Sequence, residues 1–315
     1  MRDPQELIKR FKSRVHVLDG GLATELEKRG HDISGKLWSA QVLLDDPGAI
    51  EQLHYDYLKA GADIIITSSY QLTFQGTKEA GYTHEQAEDA LWKSVEVAVK
   101  ARDRFLSELD EHLPEDRKPL IAASIGPYGA YLADGSEYKG RYGLSTEELF
   151  NFHRERFELL IQSAADLVAF ETIPCAEEFW AFEDLLDIHR VPAWVSFVVK
   201  YRDEAELADG MPLFSLCDQM KWMWGGRLVG TNCIPPRDAA RIVNQLKNWG
   251  FLPVVYPNSG EAWDAEHRCW VGENDAEHFA EYAREWIKAG ANIIGGCCRT
   301  GPEHIAQLRK LVDSL

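Results

Sequence analysis

The sequence predicts a closed parallel (β/α)8 (TIM) barrel, formed by a single domain that spans residues 1–315. From Val15 onward, short apolar runs alternate with amphipathic stretches, and this alternation repeats eight times. The apolar runs are continuous, as in parallel strands that are buried on both faces. No Pro-, Gly- or Ser-rich linker or low-complexity segment interrupts the repeats. These observations favour the barrel, and a doubly wound open sheet is the alternative.

The predicted elements follow one another at regular intervals. The strands are expected at 15–21, 62–70, 119–126, 166–172, 193–199, 227–233, 252–260 and 292–296. Ile50, Leu53 and Tyr57 carry the apolar spacing of the first helix, and Phe279 and Trp286 that of the seventh. A capping-box pattern at Ser145 starts the third helix. The remaining helices are expected at 84–105, 177–189, 213–223, 237–249 and 302–312.

Composition narrows the classes of function. The chain has 315 residues, 45% of them hydrophobic, and a formal net charge of −17, so nucleic acid and anionic membranes are poor partners. No apolar run approaches the ~20 residues of a membrane-spanning helix, and the first residues lack a secretory signal. Six cysteines are too few for a disulfide scaffold. We therefore expect a cytoplasmic protein that acts on small molecules. The sequence does not predict its oligomeric state.

Polar residues interrupt the apolar runs where the predicted strands end. In a (β/α)8 barrel, the carboxyl ends of the strands carry the active site. The sixth and eighth strands are separated by one strand, so their cysteines can converge near the barrel axis. The strand-end residues are Asp19, Thr67, Glu171, Cys233, Asn258, Cys297 and Cys298.

The three thiols of Cys233, Cys297 and Cys298 are typical of an open tetrahedral zinc site. Three sulfur ligands leave a fourth position for water or substrate, and thiolates disfavour magnesium and calcium. Adjacent cysteines such as Cys297 and Cys298 do not easily form a disulfide with each other. The alternative is that Cys233 is a small buried apolar residue and that the pair fills a strand end.

Asp19 and Glu171 are carboxylates at the ends of apolar strands, where an unpaired charge is costly. Two anions at this position predict a cation between them, such as the ammonium group of an amino acid. A helix cap or a salt bridge is the alternative. The backbone N–H groups of Gly20 and Gly21 are candidates for binding the substrate carboxylate. Together these features predict a pocket for an amino acid whose far end meets zinc.

Six segments resemble the zinc-dependent homocysteine S-methyltransferase family, and the resemblance extends from about Val15 to Ile305. They read DGGLATEL at 19–26, LWSA at 37–40, ETIP at 171–174, GTNC at 230–233, YPNSG at 256–260 and GGCCRT at 295–300. Within the family, the sequence is most similar to the enzymes that use S-methylmethionine or S-adenosylmethionine rather than betaine.

The resemblance implies roles for individual residues. Cys233, Cys297 and Cys298 would bind zinc. Asp19, Glu171 and the Thr67 region would hold the amino-acid end of homocysteine, and Asn232 belongs to the same substrate site. Zinc would remove the thiol proton, and the thiolate would take a methyl group from the sulfonium donor to give methionine. Selenocysteine is an alternative acceptor, and betaine an alternative donor.

A sulfonium donor favours aromatic side chains around it. Trp38 and the long loop 126–138, with Tyr128 and Tyr131, are the candidates, and the length of the loop is typical of a lid. Packing of Trp38 in the core and a plain surface loop are the alternatives. Asn258 and Ser259 are predicted either to bind a substrate or to close a turn.

Two other functions are compatible with parts of this pattern. A zinc hydrolase would need histidine and carboxylate ligands, whereas all three candidate ligands are thiols. A non-catalytic zinc-stabilised or thiol-sensing barrel would need a closed site with four ligands. Cys175, which follows the ETIP segment, is the residue whose ligation would support that function, and we expect it to be non-ligating.

Overall fold

Eight parallel strands form a closed barrel in the computed structural model, which describes residues 1–110, 112–201, 204–220, 227–264, 269–272 and 274–315. Around the barrel, the strand order is first, eighth, seventh, sixth, fifth, fourth, third and second. A parallel bridge between Leu18 and Ile64 joins the first strand to the second. The predicted barrel is confirmed, because an open sheet would leave both edge strands unpaired. The strands are His16–Val17, Ile64–Ile66, Leu120–Ile125, Leu167–Ile173, Ala193–Phe197, Leu228–Asn232, Leu252–Tyr256 and Ile293–Ile294.

Helices follow the strands and surround the barrel. Ser145 begins the Thr146–Ile161 helix with the predicted capping box, in which its hydroxyl accepts from Glu148 N at 3.3 Å. The predicted 213–223 helix is described as Leu213–Met220, and residues 221–223 lie outside the described residues. The helices are Pro4–Ser13, Leu22–Lys28, Ser39–Asp45, Pro47–Lys59, Phe74–Glu79, His84–Ser107, Tyr128–Leu132, Thr146–Ile161, Ala176–His189, Leu213–Met220, Pro236–Asn248, Ala276–Ala289 and Pro302–Asp313, with 3-10 turns at Glu115–Arg117 and Ser136–Tyr138.

The core has two layers, which follow from the alternation of side chains along each strand. Ile65 and Val168 pack outward against the helices, whereas Ile64 and Leu167 belong to the apolar interior of the barrel. The N-terminal helix Pro4–Ser13, which the sequence analysis did not predict, adds Leu7 and Phe11 to this interior. This apolar floor leaves the polar strand-end residues at the opposite end of the barrel.

Several loops carry additional structure. The first strand and the Pro47–Lys59 helix are separated by two short helices, Leu22–Lys28 and Ser39–Asp45. Two antiparallel hairpins pair Val199–Tyr201 with Ala205–Leu207 and Ala262–Asp264 with Cys269–Val271. Among the described residues, none of the helices combines the length and apolar character that crossing a bilayer requires.

Candidate active site

The thiols of Cys233, Cys297 and Cys298 converge at the carboxyl ends of the sixth and eighth strands. Their three sulfur atoms all lie within 4.8 Å of one another. Cys233 has a φ of 51°, which turns the chain sharply at the end of its strand. The predicted gathering of these thiols is confirmed. Cys175 belongs to no group of side chains in the described part of the chain that could hold a metal ion together.

The state of two of these thiols differs from the expectation of three free ligands. The structure joins Cys233 and Cys297 in a disulfide with a Cα–Cα distance of 5.6 Å, and Cys298 is a free cysteine. Thiols that converge closely enough to share a metal ion also lie within reach of each other. The low-dielectric surroundings raise the pKa of the Cys298 thiol to about 11, and the charges of Glu137 and Glu171 act in the same direction.

Asn258 and Ser259 hold the cysteine segment in place. Asn258 Oδ1 accepts from Cys298 N at 3.2 Å, and Ser259 N donates to Cys298 O at 3.1 Å. The Ser259 hydroxyl donates to Glu261 at 3.2 Å. These contacts match the predicted turn-closing alternative. Asn258 also lines a cavity, so its side chain remains accessible to a ligand.

Asp19 and Glu171 are both buried, and both line the cavity that the cysteines line. Asp19 Oδ2 accepts from Ile66 N at 2.8 Å, whereas Oδ1 has no hydrogen-bond partner among the described residues. Burial raises the pKa of Asp19 well above its usual range, and the charge of Glu171 raises it further. Two buried carboxylates with an unpaired oxygen form a site that a cation would stabilise.

Burial also raises the pKa of Glu171, to about 7. Hydrogen bonds from the Ser124 and Tyr256 hydroxyls oppose this rise. Thr67, at the end of the second strand, accepts a hydrogen bond from Ser124 N at 3.0 Å. Because the Ser124 hydroxyl donates to Glu171, Thr67 supports the same carboxylate through Ser124. Ser124 and Tyr256 were not predicted as site residues, although both also lie at or near strand ends.

Gly20 and Gly21 allow close packing at the end of the first strand. The Gly21 N–H donates to Thr300 O at 2.9 Å, so it is already engaged within the protein. A Cβ at position 21 would lie 2.4 Å from Cys297 O, and one at position 20 would lie 2.7 Å from Thr300 O. The glycines thus allow the first strand end to approach the cysteine turn.

Asn232 connects two of the strands that carry site residues. It is fully buried, accepts from Ser196 Oγ at 2.7 Å, and makes two hydrogen bonds to Thr172. Its Nδ2 also lies 3.9 Å from Cys297 Sγ. Its polar atoms are therefore occupied by the protein, although the residue lines the same cavity as Asp19.

Two connected cavities occupy this end of the barrel. The inner cavity, of about 130 Å³, is lined by the three cysteines together with Asp19 and Glu171. The outer cavity, of about 1000 Å³, opens beside it and falls within the size range of small-molecule sites. The residues that line both cavities are Thr24, Ile33, Trp38, Tyr70, Glu137, Tyr138 and Cys298.

The aromatic side chains at this junction differ in part from those predicted. Trp38 lines both cavities, and it also packs against the core. Tyr128 and Tyr131 line neither cavity, because both pack against Phe152 at ring distances of 4.8 and 5.6 Å. The loop 126–138 reaches the site through Tyr138 instead, and Tyr70 joins it from the second strand end.

The fold and the site define a (β/α)8-barrel enzyme with thiols and carboxylates in one cavity. The sequence profile of the homocysteine S-methyltransferase family matches residues 16–312. The chain belongs to this family, and it is accordingly an S-methyltransferase. This agrees with the resemblance found from the sequence alone.

Individual relatives cover nearly the whole chain. Homocysteine S-methyltransferase YbgG of Bacillus subtilis is 45% identical over 304 residues, which is 95% of each chain. Selenocysteine Se-methyltransferase of Brassica oleracea is 43% identical and covers 95% of this chain and 89% of its own length. The metallated form of the homocysteine methyltransferase MmuM from Escherichia coli superposes with a TM-score of 0.85 at 40% identity, covering 98% and 99% of the two chains. An oxidized form of MmuM superposes with the same TM-score.

Proposed function

We propose that this enzyme transfers a methyl group from a sulfonium donor to the thiol of homocysteine and so produces methionine. The donor would be S-methylmethionine or S-adenosylmethionine. The observation that carries this proposal is the inner cavity, which is lined by two buried carboxylates and by three converging thiols. Such a cavity offers one end to an ammonium group and the other to a sulfur atom.

Asp19 and Glu171 are proposed to bind the ammonium group of homocysteine. An ammonium group between them would donate to the unpaired Asp19 Oδ1 and compensate both charges. Thr67 and Ser124 support the Glu171 side of this site. Asn232 is proposed to act by holding Thr172, which directly follows Glu171.

Cys233, Cys297 and Cys298 are proposed to hold Zn²⁺ when all three are reduced. Their sulfur atoms converge within 4.8 Å, and three thiolates suit zinc and leave one ligand position open. A bound zinc ion would keep the acceptor sulfur deprotonated at neutral pH. The need for reduced thiols supports the cytoplasm as the compartment in which the enzyme works.

The outer cavity is proposed to receive the donor, with its sulfonium at the junction beside Trp38 and Cys298. The acceptor sulfur attacks the methyl carbon in line, and the bond between that carbon and the donor sulfur breaks. The donor leaves as a neutral thioether. Opposite charges disappear in this step, so the buried carboxylates and aromatic side chains assist it by orienting the reactants and excluding water.

The test is methionine formation from homocysteine on protein whose thiols are reduced and whose zinc content is known. S-methylmethionine and S-adenosylmethionine are supplied in separate assays. We expect turnover with at least one donor, in proportion to zinc occupancy. Bound zinc without turnover of either donor would contradict the proposed reaction and leave the metal site standing.

Selenocysteine is a second candidate acceptor, favoured by the 43% identity to the Brassica oleracea selenocysteine Se-methyltransferase. A selenol in place of a thiol leaves the ammonium contacts unchanged. Competition between homocysteine and selenocysteine for a limiting donor measures the preference directly, from the ratio of the two methylated products.

A further inference from the structure

Glu137 occupies the junction between the inner and outer cavities. Of the residues described by the structure, seven line both cavities, and Glu137 is the carboxylate among them. It lies on the Ser136–Tyr138 turn of the loop 126–138, which the sequence marks by its tyrosines and its length. The negative charge of Glu137 therefore faces any ligand that extends from the outer cavity towards the cysteines.

One oxygen of the Glu137 carboxylate lacks a partner. Its Oε2 is buried and accepts no hydrogen bond from the described residues. Burial raises the pKa of Glu137, and the charge of Asp134 raises it further. A hydrogen bond from the Glu137 backbone N–H and the charge of Lys139 oppose this rise only in part. A partly buried carboxylate with one unpaired oxygen is stabilised by a cation, and the cavity gives a cationic ligand access to it.

The position of Glu137 is built into the loop. A Cβ at Gly129 would lie 2.3 Å from Glu137 N, so the Tyr128–Leu132 helix packs directly on the backbone of this turn. Gly135, with a φ of 82°, and the hydrogen bond from Ser136 N to Asp134 Oδ1 at 2.9 Å start the turn. The backbone that carries this carboxylate is thus held against the Tyr128–Leu132 helix.

We propose that Glu137 recognises the sulfonium charge of the methyl donor and is a specificity-determining residue for that substrate. This inference rests on the proposed function and deepens it. The ammonium group of the acceptor already has two carboxylates, Asp19 and Glu171, deeper in the inner cavity. The donor brings a second positive charge, and its reactive carbon has to reach the cysteine end of the cavity through the junction that Glu137 lines.

The surroundings of Glu137 suit a sulfonium better than an ammonium group. Trp38, Tyr70 and Tyr138 line the same junction, and aromatic faces attract a weakly hydrated cation that has no N–H to donate. The attraction exists only before transfer. When the methyl carbon leaves, the electron pair of the broken bond stays on the donor sulfur, which becomes a neutral thioether. Glu137 therefore favours the donor over the demethylated product.

The test uses the zinc-loaded full-length enzyme and the isosteric change Glu137→Gln. We expect the KM for S-methylmethionine to rise roughly tenfold to a hundredfold, with the KM for homocysteine within about twofold of wild type. Homoleucine, in which CH replaces the charged sulfur, serves as a competitive inhibitor against the donor. Its inhibition constant is expected to stay unchanged in Glu137→Gln, because it carries the same ammonium and carboxylate groups as the donor but no sulfonium.

Two further variants make the test specific. Asp134→Asn removes one charge from the exposed part of the same loop and keeps the oxygen that Ser136 N contacts, so its donor KM is expected to match wild type. Glu137→Asp keeps the charge and is expected to recover part of the donor affinity.

The inference is overturned if Glu137→Gln leaves the donor KM unchanged, or if it weakens homoleucine as much as S-methylmethionine. An equal rise in the donor KM of Asp134→Asn also overturns the inference, because any negative charge on the loop would then be enough to attract the donor. These failures differ from failure of the proposed function, in which the wild-type enzyme itself forms no methionine.

Discussion

Asn232 holds Thr172 by both ends of its side-chain amide. Asn232 Oδ1 accepts from Thr172 N at 2.9 Å, and Asn232 Nδ2 donates to Thr172 Oγ1 at 2.8 Å. Thr172 has a φ of 64°, a left-handed conformation that is costly for a β-branched residue. Thr172 directly follows Glu171, and Asn232 directly precedes Cys233. The hydrogen bonds between Asn232 and Thr172 therefore fix Glu171, on the fourth strand, relative to Cys233, at the end of the sixth.

Replacing Asn232 by alanine is therefore expected to affect both stability and substrate binding. The change leaves the buried Thr172 N–H without a partner, and we expect the free energy of unfolding to fall by about 2–4 kcal/mol. The KM for homocysteine should rise as Glu171 loses its orientation. Asn244→Ala, on the exposed face of the Pro236–Asn248 helix, is the control and should stay within about 0.5 kcal/mol of wild type. Denaturant unfolding and steady-state kinetics measure both effects.

The buried Glu171 should make stability depend on pH. Its pKa rises from 4.5 to about 7 on folding, so the folded protein binds this proton more tightly than the unfolded chain does. The contribution of Glu171 to the free energy of unfolding of the ligand-free protein should therefore fall, by about 3 kcal/mol, as the pH rises from about 4.5 to 7, and this contribution should level off above that. Glu171→Gln should remove this component, which denaturant unfolding across that range measures. The same slope in the variant would assign the titration to another group.

Amino-acid binding should show the opposite dependence on pH. An ammonium group is attracted by ionised Glu171, so affinity should increase as the pH rises through about 7. Methionine is a suitable probe, because its thioether does not titrate, and calorimetry can follow its binding. In Glu171→Gln, the binding of methionine should be weaker and nearly independent of pH around 7. Tighter binding by wild type at pH 5 than at pH 8 would contradict an ionised carboxylate as the ligand of the ammonium group.

The barrel and the gathering of its thiols could be predicted because both follow from local patterns. Continuous apolar runs mark buried strands, and residues at the ends of parallel strands meet at one end of the barrel. Long-range packing was not predictable. Tyr128 and Tyr131 pack against Phe152, which belongs to another helix. Tyr138 therefore lines the cavity in their place. The bond between Cys233 and Cys297 depends on oxidation state, which the order of residues does not encode.

Cys298→Ser should lower zinc content and methyl transfer together while the barrel stays folded. A serine hydroxyl is a poor substitute for a thiolate as a zinc ligand, and Cys298 is only partly buried, so little packing is lost. Cys175→Ser is the matched control, because this thiol is buried away from the three convergent sulfurs and its loss should leave zinc content unchanged. Metal analysis, circular dichroism and kinetics separate the two outcomes. Full zinc content and activity in Cys298→Ser would remove this residue from the ligand set.

Glu178 should control the loop that carries Glu137, although it lies outside both cavities. It is fully buried and binds His153 Nε2 at 2.7 Å, Tyr142 OH at 3.2 Å and the backbone N–H of Tyr128. Glu178→Ala would leave the Tyr128 N–H and the His153 ring without their buried partner. We expect a loss of about 3 kcal/mol in the free energy of unfolding and faster proteolysis within the loop. Glu177→Ala, at the neighbouring exposed position, is the control. Equal proteolysis rates in the two variants would contradict this role.

Gly21→Ala tests the packing between the first strand end and the cysteine turn. The added Cβ would lie 2.4 Å from Cys297 O, a backbone atom that cannot move without shifting the turn that contains Cys297 and Cys298. We expect zinc content to fall and the free energy of unfolding to drop by about 2 kcal/mol or more. Gly35→Ala is the matched control, because its Cβ would meet no atom within 4 Å. Equal zinc content in the two variants would show that the turn tolerates the displacement and that the close approach at Gly21 is not needed for metal binding.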